Sequence, residues 1–182
     1  MTSGRAALVE VLSRYICQSE MSPGTFEVQE LMYFLQVASE LLRLRFESGD
    51  FGVHTDNLKS VLSMIDGYFL TGYGSESQVG EELSVLPGAE ERAERVLKDK
   101  EDTRARIDRV LSLASGFESP YGMGLLAKVH WLAVSDSSLT EKELAAKMRE
   151  DLPGRPQMLS DDHVKVALET LRAEEWLPAK AA

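Results

Sequence analysis

Three histidines, one cysteine and thirty carboxylates are the groups of this chain that could move protons, hold a metal or attack an electrophile. His54, His130 and His163 have no metal-ligand spacing, and with Cys17 as the one thiol a structural zinc site is not expected. Cys17 falls inside a helical pattern, which predicts packing rather than nucleophilic attack, and no motif pairs it with a histidine. His130 stands beside Trp131 in an apolar stretch and is expected to be a satisfied core histidine. The chain has no G-x-x-x-x-G-K-[ST] loop, and Gly72-Tyr73-Gly74 supplies only the first half of G-x-G-x-x-G, after a helix rather than a strand. Paired carboxylates on helices usually form a solvated face. Nothing in these patterns specifies an enzyme, and no catalytic, cofactor-binding or metal-binding residue is predicted.

Charge is more informative. Thirty acids against twenty bases give a net charge of −10, which repels nucleic acid and anionic membranes; composition alone reads first as simple solubility and second as a surface that attracts a basic partner. The excess is uneven: residues 76–102 hold nine acids and four bases, whereas 103–135 hold two and four. The most acidic segment, SESQVGEELSVLPGAEERAE, also reads as a loop broken by Pro87-Gly88. No stretch has the roughly 20 apolar residues of a membrane span. The leading MTSGRAALVEVLSRY lacks the pattern of a signal peptide, and a single cysteine fits a reducing compartment, so a cytoplasmic protein is expected.

The elements that must position these groups are helices. Leu8, Val9, Leu12, Tyr15 and Ile16 predict a helix over 5–18. Ser22-Pro23-Gly24 breaks it, and Thr25 is expected to cap a long second helix reaching Phe46, apolar on most sides and central to the core. A short extended piece at Phe51–Val53 precedes a third helix from Thr55 or Asp56 to about Leu70, with Leu58, Val61, Leu62 and Ile65 inward. Further helices are predicted over 89–99, 103–115, 121–134, 141–149 and 161–174. Ser119-Pro120, the Thr140/Glu143 capping box and Ser160 mark their starts. Tyr33, Phe34, Leu35, Phe117, Leu125, Leu126 and Trp131 are expected in the core, Asp56 as a cap, and Gln36, Arg43 and Arg45 as satisfied internal polar groups. The predicted fold is mainly α: a compact multi-helix domain with few short strands. It is read as one unit over 1–182, with a helical core at 5–135 and a winged-helix-like portion at 136–182.

Such a C-terminal portion ordinarily suggests DNA reading. Its candidate recognition helix opens with Asp161-Asp162, and Ser160–Trp176 carries five acids and two bases, whereas phosphate contact needs lysine or arginine. A winged-helix-like transcriptional regulator, or a generic protein-interaction module, is therefore the alternative reading, and direct nucleic-acid binding is not expected.

EVQELMYFLQ at 27–36, LRLRF at 42–46, FGVHTDNLKSVLSMIDGYFLTGYG at 51–74 and GFESPYGMGLLAKVHWLA at 116–133 together resemble the C-terminal domain of DarG, the antitoxin of the bacterial DarT–DarG toxin–antitoxin system. RAALVEVLSRY and LSDDHVKVALETLRAEEWL extend the likeness over nearly the whole chain. A fainter similarity, in YFLQ and FGVHTDNL, is to Panacea/SocA-like antitoxin domains. The resemblance implies a domain that binds DarT, a toxin that ADP-ribosylates thymidine in single-stranded DNA using NAD, and neutralises it by direct contact as a DNA mimic. DarG proteins fuse this domain to an N-terminal macrodomain that holds the DNA ADP-ribosyl glycohydrolase. No macrodomain is read here, so the expectation is a domain separated from it, without enzymatic activity and without a cofactor.

The chain departs from the family pattern where Phe51-Gly52-Val53-His54 stands for a usual Tyr-Gly-Pro-Tyr, where Ser75 stands for an aspartate, and where Gly124 stands for a larger residue. No partner contact is carried over to Phe51, His54 or Ser75. The residues expected to meet the partner are the acids Glu76, Glu81, Glu82, Glu90, Glu91 and Glu94, with Asn57, Tyr68, Tyr73, Glu118 and Tyr121 in loops or at helix ends.

Overall fold

A computed structural model of the protein describes residues 1–74, 82–152 and 159–178. Eight helices dominate these residues, with two small antiparallel sheets of two strands each. No helix among them is long and apolar enough to cross a membrane.

Helix α1 (Ser3–Ser19) starts at Thr2, whose hydroxyl accepts the Arg5 N–H, and buries Leu8, Val9, Leu12 and Tyr15. Helix α2 (Thr25–Val37) is buried at every position from Glu27 to Leu35. A helix apolar on all sides belongs inside, and α2 packs against α6 (Pro120–Ser135), which is equally enclosed from Gly122 to His130. These two form the centre of the molecule. Gly24 rather than the expected Thr25 is the cap of α2: the Glu27 carboxylate reaches back to the Gly24 N–H at 3.0 Å and takes the Tyr15 hydroxyl at 2.9 Å, fixing α2 on α1.

The second helix does not run to Phe46. It stops at Val37, where Ser39 adopts a left-handed φ of 74° and the Glu40 N–H turns back to the Leu35 carbonyl at 3.1 Å. The Gln36 amide then brackets Leu44, donating to its carbonyl at 2.9 Å and accepting its N–H at 2.8 Å. A buried Glu40 carboxylate completes the anchor by accepting from Thr103 at 3.2 Å and Arg106 at 2.9 Å. Gln36 is the satisfied polar group that was expected, whereas Arg43 and Arg45 point to solvent.

Strands β1 (Glu47–Ser48) and β2 (Val53–His54) form a hairpin with Glu47 opposite His54 and Ser48 opposite Val53. Helix α3 (Asp56–Ile65) ends five residues before the expected Leu70, because Gly67 takes a positive φ and β3 (Leu70–Thr71) pairs with β4 (Ser84–Val85). Thr55 occupies the cap position, and Asp56, expected there, lies in the first turn bonded to Lys59 at 2.8 Å. Helices α4 (Ala89–Leu97) and α5 (Glu101–Ala114) pack on α1. Helices α7 (Glu141–Glu150) and α8 (Asp161–Ala173) pack on α6 and on each other. After α8 the chain turns back, with the Trp176 and Leu177 N–H groups both donating to the Leu171 carbonyl. Trp176 is thereby inserted edge-on against Phe34 at 5.2 Å, under the Arg109 guanidinium. Cys17, expected to pack, is exposed on α1.

Candidate functional site

Three groups of predicted contact residues occupy three different places. On α4, Glu90, Glu91 and Glu94 are exposed. They share their surroundings with Glu10 of α1 and Asp108 of α5, and Arg14 bonds Asp108 at 2.6 Å. Burial is the largest influence lifting the Glu10 carboxyl above its ordinary range; Arg14 opposes it, and Glu94, Glu90 and Asp108 add to it. Carboxylates from three helices are gathered here, with the Arg14 guanidinium among them. Glu82 is exposed nearby in chain order, next to a bridge between its own backbone and Gly24. Glu76 and Glu81 lie outside the described residues.

Asn57 is exposed in the first turn of α3, and Tyr68 is 75% exposed on the turn that follows it. Tyr73 is half-buried, its N–H donating to Asp66 at 3.2 Å. Glu118, by contrast, spends its carboxylate within the chain: it accepts the Gln18 amide at 2.8 Å and the Gly116 N–H at 2.7 Å, locking the turn from α5 into α6.

Tyr121 belongs to a pocket of about 310 Å³ lined by Phe26, Glu30, Phe51, Pro120, Tyr121, Gly124 and Leu152. Each wall has a local cause. Ser119 caps α6 by accepting the Gly122 N–H at 3.0 Å with Pro120 in the first turn, which places Tyr121 at the rim. Phe51 stacks on the Tyr121 ring at 5.3 Å and lies over Gly124, where a Cβ would sit 2.7 Å from the Phe51 ring. Gly52 has a φ of 82°, and a Cβ there would collide with the Glu30 carboxylate. Both glycines are therefore required for the aromatic wall and the acid to coexist. The hairpin that carries Phe51 is tied to α6 by Lys128, only 1% exposed. Its ammonium donates to Ser48 Oγ at 2.7 Å and to the Gly49 carbonyl at 2.6 Å, and pairs with Asp151 at 2.6 Å, so all three protons are used. At the rim the Tyr121 hydroxyl meets His163 Nδ1 at 2.7 Å.

Glu30 is the acid of this pocket and is 2% exposed. The Val53 N–H donates to it, at 3.1 Å and 3.4 Å to the two oxygens. Burial pushes the carboxyl well above its usual range, and the Val53 hydrogen bond only partly offsets this. Sequence reasoning found Tyr121 but missed Phe26, Glu30, Phe51 and His163. A signal existed for Glu30, an acid in the middle of an otherwise enclosed apolar helix. His130 is the core histidine that was expected, meeting Tyr33 at 2.7 Å, both buried.

No protein-family model matches the chain. A protein of Thermus aquaticus named DNA ADP-ribosyl glycohydrolase is 31% identical over 194 aligned residues, covering 100% of this chain and 53% of that protein. Proteins of the same name from Mycobacterium tuberculosis and Mycobacterium bovis are each 31% identical over 185 residues, covering 94% of this chain and 53% of theirs. The chain thus spans about half the length of the curated relatives it matches, and a relationship to DarG-type proteins runs along its length. These findings overturn one expectation: the relatives carry the name of an enzyme, so a chain without enzymatic activity no longer stands as the reading.

Proposed function

We propose, from the premise of that DarG relationship, that the chain is an antitoxin unit that binds a DarT-type DNA ADP-ribosyltransferase in the bacterial cytoplasm and neutralises it by occupying its DNA-binding groove. The observation that carries the reading is the carboxylate surface of α4, where Glu90 and Glu94 lie one helical turn apart beside Glu10 and Asp108. Carboxylates at that spacing are roughly 5–6 Å apart, a tolerable substitute for successive phosphates. A toxin that grips DNA needs a cationic groove, and a domain at −10 is attracted to it without offering a reactive base.

The test is competition. The purified chain is expected to displace single-stranded DNA from the toxin, and Glu90→Gln, Glu91→Gln and Glu94→Gln together are expected to slow association and flatten its salt dependence. Simultaneous binding of DNA and the chain to the toxin overturns groove occupation.

The name shared by the relatives favours a second reading, DNA ADP-ribosyl glycohydrolase activity. Release of ADP-ribose from thymidine-modified single-stranded DNA by this chain establishes it; its absence at enzyme concentrations in excess of substrate removes it.

A further inference from the structure

We propose that the pocket between α2, the β1–β2 hairpin and α6 is a receptor for one arginine side chain of a basic protein partner, with Glu30 as the carboxylate that meets the guanidinium. The inference deepens the proposed function and rests on it for the identity of that partner.

Three observations converge. The first is an acid in excess of its structural duty. A carboxylate offers about four lone-pair positions, and the Val53 N–H, shared between both oxygens, is one donor. Glutamine at position 30 would offer Val53 the same kind of acceptor without placing an ionisable group in the interior. Among the described residues, no cation is paired with Glu30. The second is the lining. Phe26, Phe51, Pro120, Tyr121 and Leu152 supply apolar and aromatic surface, and among the described residues none that lines the pocket is cationic. The third is size and access. The cavity of about 310 Å³ has room for a long side chain, and Phe26 at its mouth is 50% exposed.

Arginine is the side chain that uses all of these features. Its methylene stem covers apolar surface, its planar head lies against aromatic rings, and its fork matches a carboxylate. The charge of the molecule selects the same partner, since a chain at −10 draws cationic surfaces toward itself. Burial raises the Glu30 carboxyl in the free chain, and an arriving guanidinium favours its charged form, any proton released going to solvent. Lys128 cannot supply the counter-charge internally, because its protons are committed to Ser48, Gly49 and Asp151.

The experiment has two arms. In the first, N-acetyl-arginine methylamide is titrated into the isotopically labelled chain, with the citrulline counterpart as a neutral isostere and the phenylalanine counterpart as an apolar rival. The arginine compound is expected to saturate shifts centred on Gly52, Val53, Tyr121 and Gly124, and to bind at least ~10-fold tighter than citrulline. Glu30→Gln, which retains an acceptor for Val53, is expected to erase that preference, and Phe26→Leu at the exposed mouth to reduce it without disturbing the fold. Arginine and citrulline binding alike, phenylalanine binding more tightly than arginine, or no shift in the pocket overturns the proposal.

The second arm measures the affinity of a DarT-type toxin for the wild type and Glu30→Gln, expecting a loss of ~10-fold or more. A toxin that binds both equally overturns the arginine receptor and leaves the proposed function intact. A toxin that binds neither removes the proposed function, and the arginine titration still decides the pocket.

Discussion

Two tyrosine–histidine pairs in this molecule have the same geometry and different surroundings. Tyr33 meets His130, and Tyr121 meets His163, each with a hydroxyl 2.7 Å from Nδ1. Both pairs involve α6, which carries His130 near its middle and Tyr121 at its start. The first pair is closed in by Phe34, Phe46 and Trp131, and burial drives His130 down to about 4 while a hydrogen bond with the Trp176 backbone pulls the other way. Burial likewise raises the Tyr33 hydroxyl, with the Glu30 carboxylate adding to it. The second pair stands at the rim of a pocket with His163 exposed. The difference teaches that the hydrogen bond itself assigns no role: enclosure makes one pair a fixed part of the core, and exposure leaves the other where a partner can reach it.

The sharpest way to break this contrast is to remove the enclosed histidine. His130→Ala leaves a cavity and a buried Tyr33 hydroxyl without its hydrogen-bond partner, and is expected to lower stability by about 3 kcal/mol or more. Urea unfolding measures it, and a loss near zero would place His130 outside the core network.

Acid should act on the same pair in the same direction. A histidine at about 4 in the folded chain and 6.5 as its ordinary value takes up its proton more readily unfolded. Its stabilising contribution is present above pH 6.5 and is lost as pH falls toward 4, by about 3 kcal/mol in all. Glu30 has the opposite sign. Its carboxyl is raised in the folded state, so its contribution is full below 4.5 and fades as pH rises. Glu30→Gln is therefore expected to raise the melting temperature at pH 8 and to leave it unchanged at pH 4. A destabilised variant at pH 8 would mean that the acid serves the fold.

The predicted helix starts rested on local chemistry, and three of the local signals hold, Ser119 with Pro120, Thr140 with Glu143, and Ser160, whereas α2 is capped one residue before the expected Thr25. The helix ends depended on distant partners. Leu41, Leu42 and Leu44 continue the apolar pattern of α2, yet the turn at Ser39 is secured by Gln36 on Leu44 and by Glu40 on Thr103 and Arg106. The latter contacts span more than sixty positions of sequence, so no local pattern could disclose them. The pocket was hidden for the same reason. Tyr121 was legible as an aromatic at a helix start, whereas Phe26, Glu30, Phe51 and Leu152 meet it only after four separate segments pack. Glu118 shows the converse, an exposed-looking acid whose oxygens are taken up by Gln18 and Gly116.

The smallest expected effect on stability tests the exposed pair. Tyr121→Phe removes the hydroxyl that meets His163 and keeps the ring that stacks on Phe51. The bond lies at an exposed site where water replaces either partner, so unfolding free energy should change by no more than about 0.5 kcal/mol. The same substitution in the core, Tyr33→Phe, should cost about 1–3 kcal/mol because the His130 nitrogen is left buried and unpaired. Binding should invert that order. If the rim is a contact surface, Tyr121→Ala speeds dissociation of a DarT-type toxin by roughly 1–3 kcal/mol, while association is little changed, because an aromatic anchor acts on the formed complex. Tyr121→Phe should fall between wild type and Tyr121→Ala in dissociation rate, apportioning the anchor between ring and hydroxyl. Should Tyr121→Ala unfold the chain instead, or dissociate at the wild-type rate, the two pairs would share one structural role and their surroundings would not distinguish them.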